Sequence, residues 1–174
     1  MSADLLEAAE GLHELVEAHA DKAEQKRRLP SRLVHAMRDA HLFRMCVPHE
    51  YGGPEADPMT FGAVIEKVAQ ADGAAGWCTM IGSTTSSMSL FLEPEWARRL
   101  FGDAKTVSAG VFAPNGRAVR DGDGWRVTGR WQWGAVRATA STSRVARSPT
   151  PASSTSCSST PPTSRSTTPG TRTG

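Results

Sequence analysis

The chain has 174 residues, enough for one domain or one domain plus part of a second. Its +2 charge is unevenly laid out: all 18 Asp and Glu but only 15 of the 20 Lys and Arg precede Ala135, so that part carries −3. With no basic stripe and no apolar run of about 20 residues, the sequence speaks against a nucleic-acid partner and against a membrane span.

Cys46, Cys78 and Cys157 are odd in number and far apart, which is neither a disulfide framework nor a zinc spacing. The opening MSADLLEAAEG is acidic and amphipathic, unlike a signal peptide. These features predict a reducing, cytoplasmic setting.

From Asp4 to Arg28, Leu5, Leu6, Ala9, Leu12, Leu15, Val16 and Ala20 fall at helical spacing, predicting one amphipathic helix that Leu29-Pro30 stops. Ser31 is placed to cap a second helix carrying Leu33, Val34, Met37 and Ala40. LFRMCVPHEYGGPEADP reads as a short extended piece and a loop. Asp57 and Pro58 suit the N-cap and first turn of a third helix, with Phe61, Val64, Ile65 and Val68 as its buried stripe. Ala71-Asp72-Gly73 ends it. Residues 74–92 are apolar or small almost all round and predict a buried central helix, with Cys78, Met80, Met88 and Phe91 in the core. A short surface helix spans 93–101. After Gly102 the period changes: TVSAGVFAP, GRAVRDGDGW and WRVTGRWQW read as strands, with Asp121-Gly-Asp-Gly124 as a hairpin connection. Helices and then strands predict an α+β protein.

The grammar breaks after Gly134. Residues 135–174 hold 10 Ser, 10 Thr, 5 Pro and 5 Arg, with no acid and no aromatic. Such a stretch buries too little apolar surface to offset chain ordering, which predicts a disordered tail. The break falls inside GRWQWG, a strand-like segment, whereas domain boundaries lie in linkers. A one-base shift of reading frame accounts for this. Under it Ser codons become Phe, Leu, Ile or Val, and Thr codons become Asp, Asn, His or Tyr. Arg144 to Ala146 then permits A-G-G, Ser156 to Pro162 permits V-M-L-F-D-A-A, and Thr163 to Thr171 permits D-V-E-I-H-D-T-W-D. A natural Ser/Thr/Pro linker is the competing reading.

VPHEYGG at 47–53, the small-residue helix after it, and the strand–APNG–strand–GRWQW order together resemble the acyl-CoA dehydrogenase superfamily. The resemblance covers roughly residues 1–134. It implies an all-helical domain over 1–104 and the first strands of a β-barrel-like middle domain over 105–134, ahead of the low-complexity tail at 135–174. It also implies a flavin cofactor, FAD, with FMN or reduced flavin as alternatives. Residues at the family's flavin-binding places are Phe112, Ala113, Pro114, Asn115 and Gly116 in one segment and Trp131, Trp133 and Gly134 in another. The family's usual acid and Ser-Asp are missing from the first segment, which, with the likeness of GRAVRDGDGWRVTGRWQWG, favours the hydroxylase-like branch of the superfamily, the one that also contains flavin-dependent hydroxylases; Ala135 stands where a hydroxyl residue is expected after the second. The first functional reading is acyl-thioester dehydrogenation on acyl-CoA. The second is the oxygenase of a two-component aromatic hydroxylase acting on a small aromatic substrate. A helical binding module without enzymatic activity is a third. Intact relatives are expected to be homotetramers. The family's catalytic base comes from a later helical domain, so no residue of 1–134 is expected to be catalytic, and the chain as written is expected to be inactive.

Overall fold

Apolar spacing and helix caps organise the chain up to Phe101, and glycine turns shape the strands beyond it. A computed structural model describes residues 2–122 and 124–131. Trp133, Gly134 and the tail expectation therefore lie outside the described residues.

Three short helices replace the single one expected over 4–28: α1 (Ser2–Gly11), α2 (His13–Glu17) and α3 (Ala20–Lys26). At the first break Leu12 N–H bonds back to the Ala9 carbonyl at 3.3 Å, a tightened turn beside a glycine. At the second, the His19 ring Nδ1 sits 2.8 Å from the Leu15 carbonyl, the acceptor a continuous helix gives to the His19 N–H. That N–H turns to the Val16 carbonyl at 3.0 Å instead. A side chain competing for a backbone acceptor thus interrupts the helix. Arg27, at φ 49°, ends α3 in the left-handed conformation. Helix α4 (Ser31–Asp39) buries Leu33 and Met37 as expected, but Ser31 forms no cap bond. The N-cap position belongs to Pro30, one residue earlier, whose extended backbone launches the helix.

The segment after α4 is far more buried than a loop reading implies. Leu42, Phe43, Met45 and Val47 are sealed in the core. The chain then folds back, with Ala56 N–H bonding to the Met45 carbonyl at 2.8 Å and Glu55 N–H to the Val47 carbonyl at 2.9 Å. A short 3-10 turn, His49–Tyr51, lies at its tip. Gly52 adopts φ +72°, and a Cβ on Gly53 would collide with the Val47 carbonyl, so both glycines of the Gly-Gly pair are required. Arg44, 2% exposed, holds the fold-back in place. Its guanidinium donates to the carbonyls of Gly52 (2.6 Å), Tyr51 (3.3 Å) and Phe101 (2.6 Å).

Asp57 caps α5 (Pro58–Ala71) as expected, accepting from Met59 N–H at 2.9 Å and Thr60 N–H at 3.1 Å. Val64 and Val68 are fully buried on it; Phe61 and Ile65 are half-buried. Asp72 ends α5 and at once caps α6 (Gly73–Ser86), accepting from Ala75 N–H at 2.7 Å. The expected central helix over 74–92 is shorter than its pattern, giving way to a 3-10 turn at Ser87–Phe91. Its burial is also one-sided. The small residues Ala75, Gly76, Thr79, Gly82, Ser83 and Ser86 face inward, where Gly76 meets Ala69 of α5 and Gly82 meets Phe43. The large ones stay outside: Trp77 is 55% exposed, and Phe91, expected in the core, is 69% exposed. Cys78, Met80 and Met88 are half-buried. Close approach of backbones selects the small face, leaving the bulky face open. Helix α7 (Pro94–Phe101) completes the helical part, its Ala97 and Phe101 packing on Val47 and Tyr51.

Residues 106–114, expected as a strand, form none. They run along α6 instead: Val107 joins the helical core, Ser108 Oγ donates to the Gly82 carbonyl at 3.0 Å, and Gly110 lies against Thr85. The expected hairpin then forms from β1 (Gly116–Asp121) and β2 (Gly124–Gly129), antiparallel, with Gly116 opposite Gly129 and Asp121 opposite Gly124. Gly122 takes φ +59° in the two-residue turn. Helices and then antiparallel strands make the chain α+β. Among the described residues no helix is long and apolar enough to cross a membrane.

Candidate functional site

Where the chain leaves α6 it enters an exposed loop, Phe112 to Asn115, that opens into β1. Phe112 is 66% exposed, and Ala113, Pro114, Asn115 and Gly116 are open to solvent. The loop centres on the Ala113 carbonyl. Asn115 N–H donates to it at 2.8 Å across Pro114, a three-residue turn that suits proline's fixed φ. The Trp131 indole Nε1–H donates to the same oxygen at 2.9 Å. The Trp131 ring reaches back over the start of the hairpin, where a Cβ on Gly116 would come within 2.5 Å of it and one on Gly129 would also strike it.

Six of the eight expected cofactor residues are therefore described, and all six, Phe112 through Gly116 and Trp131, converge on one place. Their roles differ. Pro114 has no N–H, the Asn115 N–H is taken by the Ala113 carbonyl, and Gly116 belongs to the β1–β2 pairing. The N–H groups of Phe112 and Ala113 have no backbone partner among the described residues. Two donors beside an exposed aromatic ring can hold the polar edge and cover the face of a flat heterocycle. The role of the Ala113 carbonyl is not legible in the residues, since a backbone oxygen leaves no mark in a sequence. Glycine at both ends of the hairpin is the available signal for a ring lying across it.

Nearby chemistry is sparse. His49 Nδ1 sits 2.9 Å from the Gly53 carbonyl, the loop hydrogen-bonding role its context suggests. Burial pushes the Cys46 thiol pKa up; at Cys78 burial does the same, reinforced by the Asp72 carboxylate. Neither is an activated nucleophile. Burial lowers the Arg44 pKa from its ordinary value, and Asp103 pulls it back. Among the described residues no group of His, Cys, Asp and Glu is arranged to hold a metal ion.

The helical part thus feeds a glycine-flanked hairpin through an exposed loop. Residues 6–94 match the acyl-CoA dehydrogenase N-terminal domain, and the chain belongs to that family. Among curated proteins it is similar to the flavin-dependent monooxygenase oxygenase subunit HsaA of Rhodococcus jostii (strain RHA1), 30% identical over 66% of this chain and 30% of that one. It is also similar to the indole-3-acetate monooxygenase of Pseudomonas putida, 29% identical over 67% of this chain and 30% of that one. Among solved structures, the HsaA monooxygenase from M. tuberculosis superposes with a TM-score of 0.74 at 28% identity, covering 80% of this chain and 38% of that one. XiaF from Streptomyces sp., in complex with FADH2 and glycerol, superposes with a TM-score of 0.70 at 27% identity, covering 76% of this chain and 34% of that one. The chain thus spans about a third of the length of these relatives. Their names place the likeness in the hydroxylase-like branch. The order of the two enzymatic readings is reversed accordingly: monooxygenation comes before acyl-CoA dehydrogenation.

Proposed function

We propose that the chain is the N-terminal portion of the oxygenase component of a two-component flavin-dependent monooxygenase acting on a small aromatic substrate. The observation that carries this reading is the Ala113-centred loop, which presents two N–H donors and an exposed Phe112 at the end of the family's helical domain. The relatives' flavin chemistry supports it, and so does the missing Ser-Asp of the dehydrogenase-type segment. When bound, reduced FAD supplies the activation of dioxygen that hydroxylation needs. The protein's part is to hold and orient it. The Phe112 and Ala113 N–H groups would donate to the polar ring edge, Phe112 would shield a face from water, and the Trp131 ring would add a further wall, with Trp133 and Gly134 belonging to the same candidate set by sequence alone. FMN is the alternative flavin. The substrate, a homotetrameric assembly of the intact protein and a cytoplasmic setting belong to the same proposal.

The chain's organisation belongs to it too: helical domain at 1–104, incomplete β-domain at 105–134, and a shifted frame at 135–174. Two proteins test it: the 174-residue chain, and one whose frame is restored past Gly134. Titrated with oxidised and reduced FAD and FMN by fluorescence, the restored protein is expected to bind at least one flavin tightly, reduced FAD best, and the 174-residue chain weakly. A site divided between described loop and shifted tail loses contacts that act together. Equal tight binding by both would overturn the shifted frame. No binding by the restored protein would overturn the flavin reading, and reduction of its bound flavin by acyl-CoA would restore the dehydrogenase reading.

A further inference from the structure

We propose that Trp131 is a positioning residue: its indole N–H, delivered across the paired glycines Gly116 and Gly129, fixes the Phe112–Asn115 loop in the shape that presents the Phe112 and Ala113 N–H groups. The relevance of that shape to flavin rests on the function proposed above; the latch itself does not.

The latch turns on one oxygen. A carbonyl has two acceptor sites, and Ala113 fills both, with Asn115 N–H at 2.8 Å and Trp131 Nε1–H at 2.9 Å. The first bond is local and closes a turn of only three residues. Alone, such a turn in a loop of solvent-exposed residues has little to hold it. The second comes from the far strand and ties the turn to the hairpin. It is possible only because the hairpin begins on a glycine pair. Gly116 and Gly129 face each other in register, and a side chain on either would strike the ring. The two glycines and the tryptophan form one device, with a bare patch of backbone on one side and a ring that lies over it on the other. The device acts on Phe112 and Ala113 from beneath, through a carbonyl they do not use for binding. Trp131 remains half-exposed, so its ring still contributes a wall.

Two ligand-free measurements on the 174-residue chain test the latch. By proton–nitrogen NMR, the Trp131 indole N–H is expected to exchange with solvent at least about tenfold more slowly than that of exposed Trp77. Trp131→Phe keeps an aromatic ring but removes the donor. Gly116→Ala keeps the donor but displaces the ring. Each is expected to shift the amide resonances of Phe112, Ala113 and Asn115 and to leave those of α5 and α6 unmoved. Equal exchange at Trp131 and Trp77, or loop amides unmoved in both variants, would overturn the latch. In the frame-restored protein, Trp131→Phe is expected to weaken flavin binding about five- to tenfold, the weight of one ordering hydrogen bond, while Trp125→Phe leaves it unchanged. Unaltered affinity in Trp131→Phe would overturn the positioning role. Absence of flavin binding by the parent would overturn the proposed function instead, and the ligand-free measurements would then decide the latch alone.

Discussion

Arg44 is a buried cation whose donated hydrogen bonds end on carbonyls rather than on a carboxylate. Two of its acceptors lie in the 51–52 turn and the third is the last residue of α7. Three oxygens that end the turn and the helix therefore share one donor group, and the negative end of the α7 dipole faces the positive charge. Replacing Arg44 with Met fills the space but leaves buried carbonyls unpaired. Thermal unfolding is expected to show a loss of about 2–4 kcal/mol. Arg44→Lys, with a single ammonium in place of a fork, is expected to recover less than half of that. Asp57 is a smaller case. It accepts from two backbone N–H groups and from the Thr60 hydroxyl at 2.6 Å. Asp57→Ala is expected to cost about 1 kcal/mol by the same measurement. The two half-buried thiols also make a residue-scale prediction. With their pKa values raised by burial, Cys46 and Cys78 hold less thiolate at neutral pH than a free cysteine, and iodoacetamide should label both more slowly. Asp72→Asn removes the carboxylate that adds to the Cys78 shift, so labelling there should speed up and that at Cys46 should not.

At the scale of elements, α6 shows why small residues are harder to read than large ones. Its composition is apolar or small all round, and periodicity gives no preferred face. Packing makes the choice through atoms that are absent. A Cβ on Gly76 would stand 2.6 Å from the Ala69 Cβ, and one on Gly82 would stand 3.1 Å from the Phe43 ring. Helix propensity favours Gly76→Ala by about 1 kcal/mol, but the collision with α5 outweighs it. A net destabilisation of about 1–2 kcal/mol is expected in denaturant melts. The α1–α3 region is hard to read for the opposite reason. Its apolar stripe is legible, yet the breaks come from His19 and Gly11, whose local competition for hydrogen bonds a hydrophobic pattern does not record. The α5 cap is easier, because a capping Asp before a Pro carries its mechanism in its chemistry. The β1–β2 hairpin is exposed along nearly its whole length. A two-stranded ribbon is marginal without a partner surface. Its amides should exchange faster than those of α5 and α6.

On the scale of the whole molecule, Trp77 on α6 and Leu90 and Phe91 in the turn after it are 55%, 63% and 69% exposed. Isolated exposed hydrophobics are ordinary, but three this large on one helix and the turn after it offer places where further chain could pack. The chain spans about a third of its relatives, whose further length is the natural source of such packing. The 174-residue chain should bind a hydrophobic dye strongly, and restoring the frame past Gly134 should reduce that binding and shift Trp emission to the blue. Unchanged dye binding would separate these exposed side chains from the residues that the restored frame supplies. Helix existence, the cap of α5, the hairpin turn and the family are legible in the residues. The hydroxylase-like branch is legible too, in the acid and Ser-Asp missing from the first flavin segment, but a residue that is absent carries less weight than one that is present, and it takes the relatives to reverse the order of the two enzymatic readings.

Asp72 has a consequence for how force travels through this molecule. One extended residue is all that separates α5 from α6, and its carboxylate is already engaged on the second helix. The corner has no slack. A push on the outer face of α6 is therefore expected to turn α5 with it, since the corner between them is a single capped residue. Lengthening the corner by one or two glycines would turn a rigid elbow into a joint, and the loss should appear first as independent motion of the two helices rather than as unfolding of either.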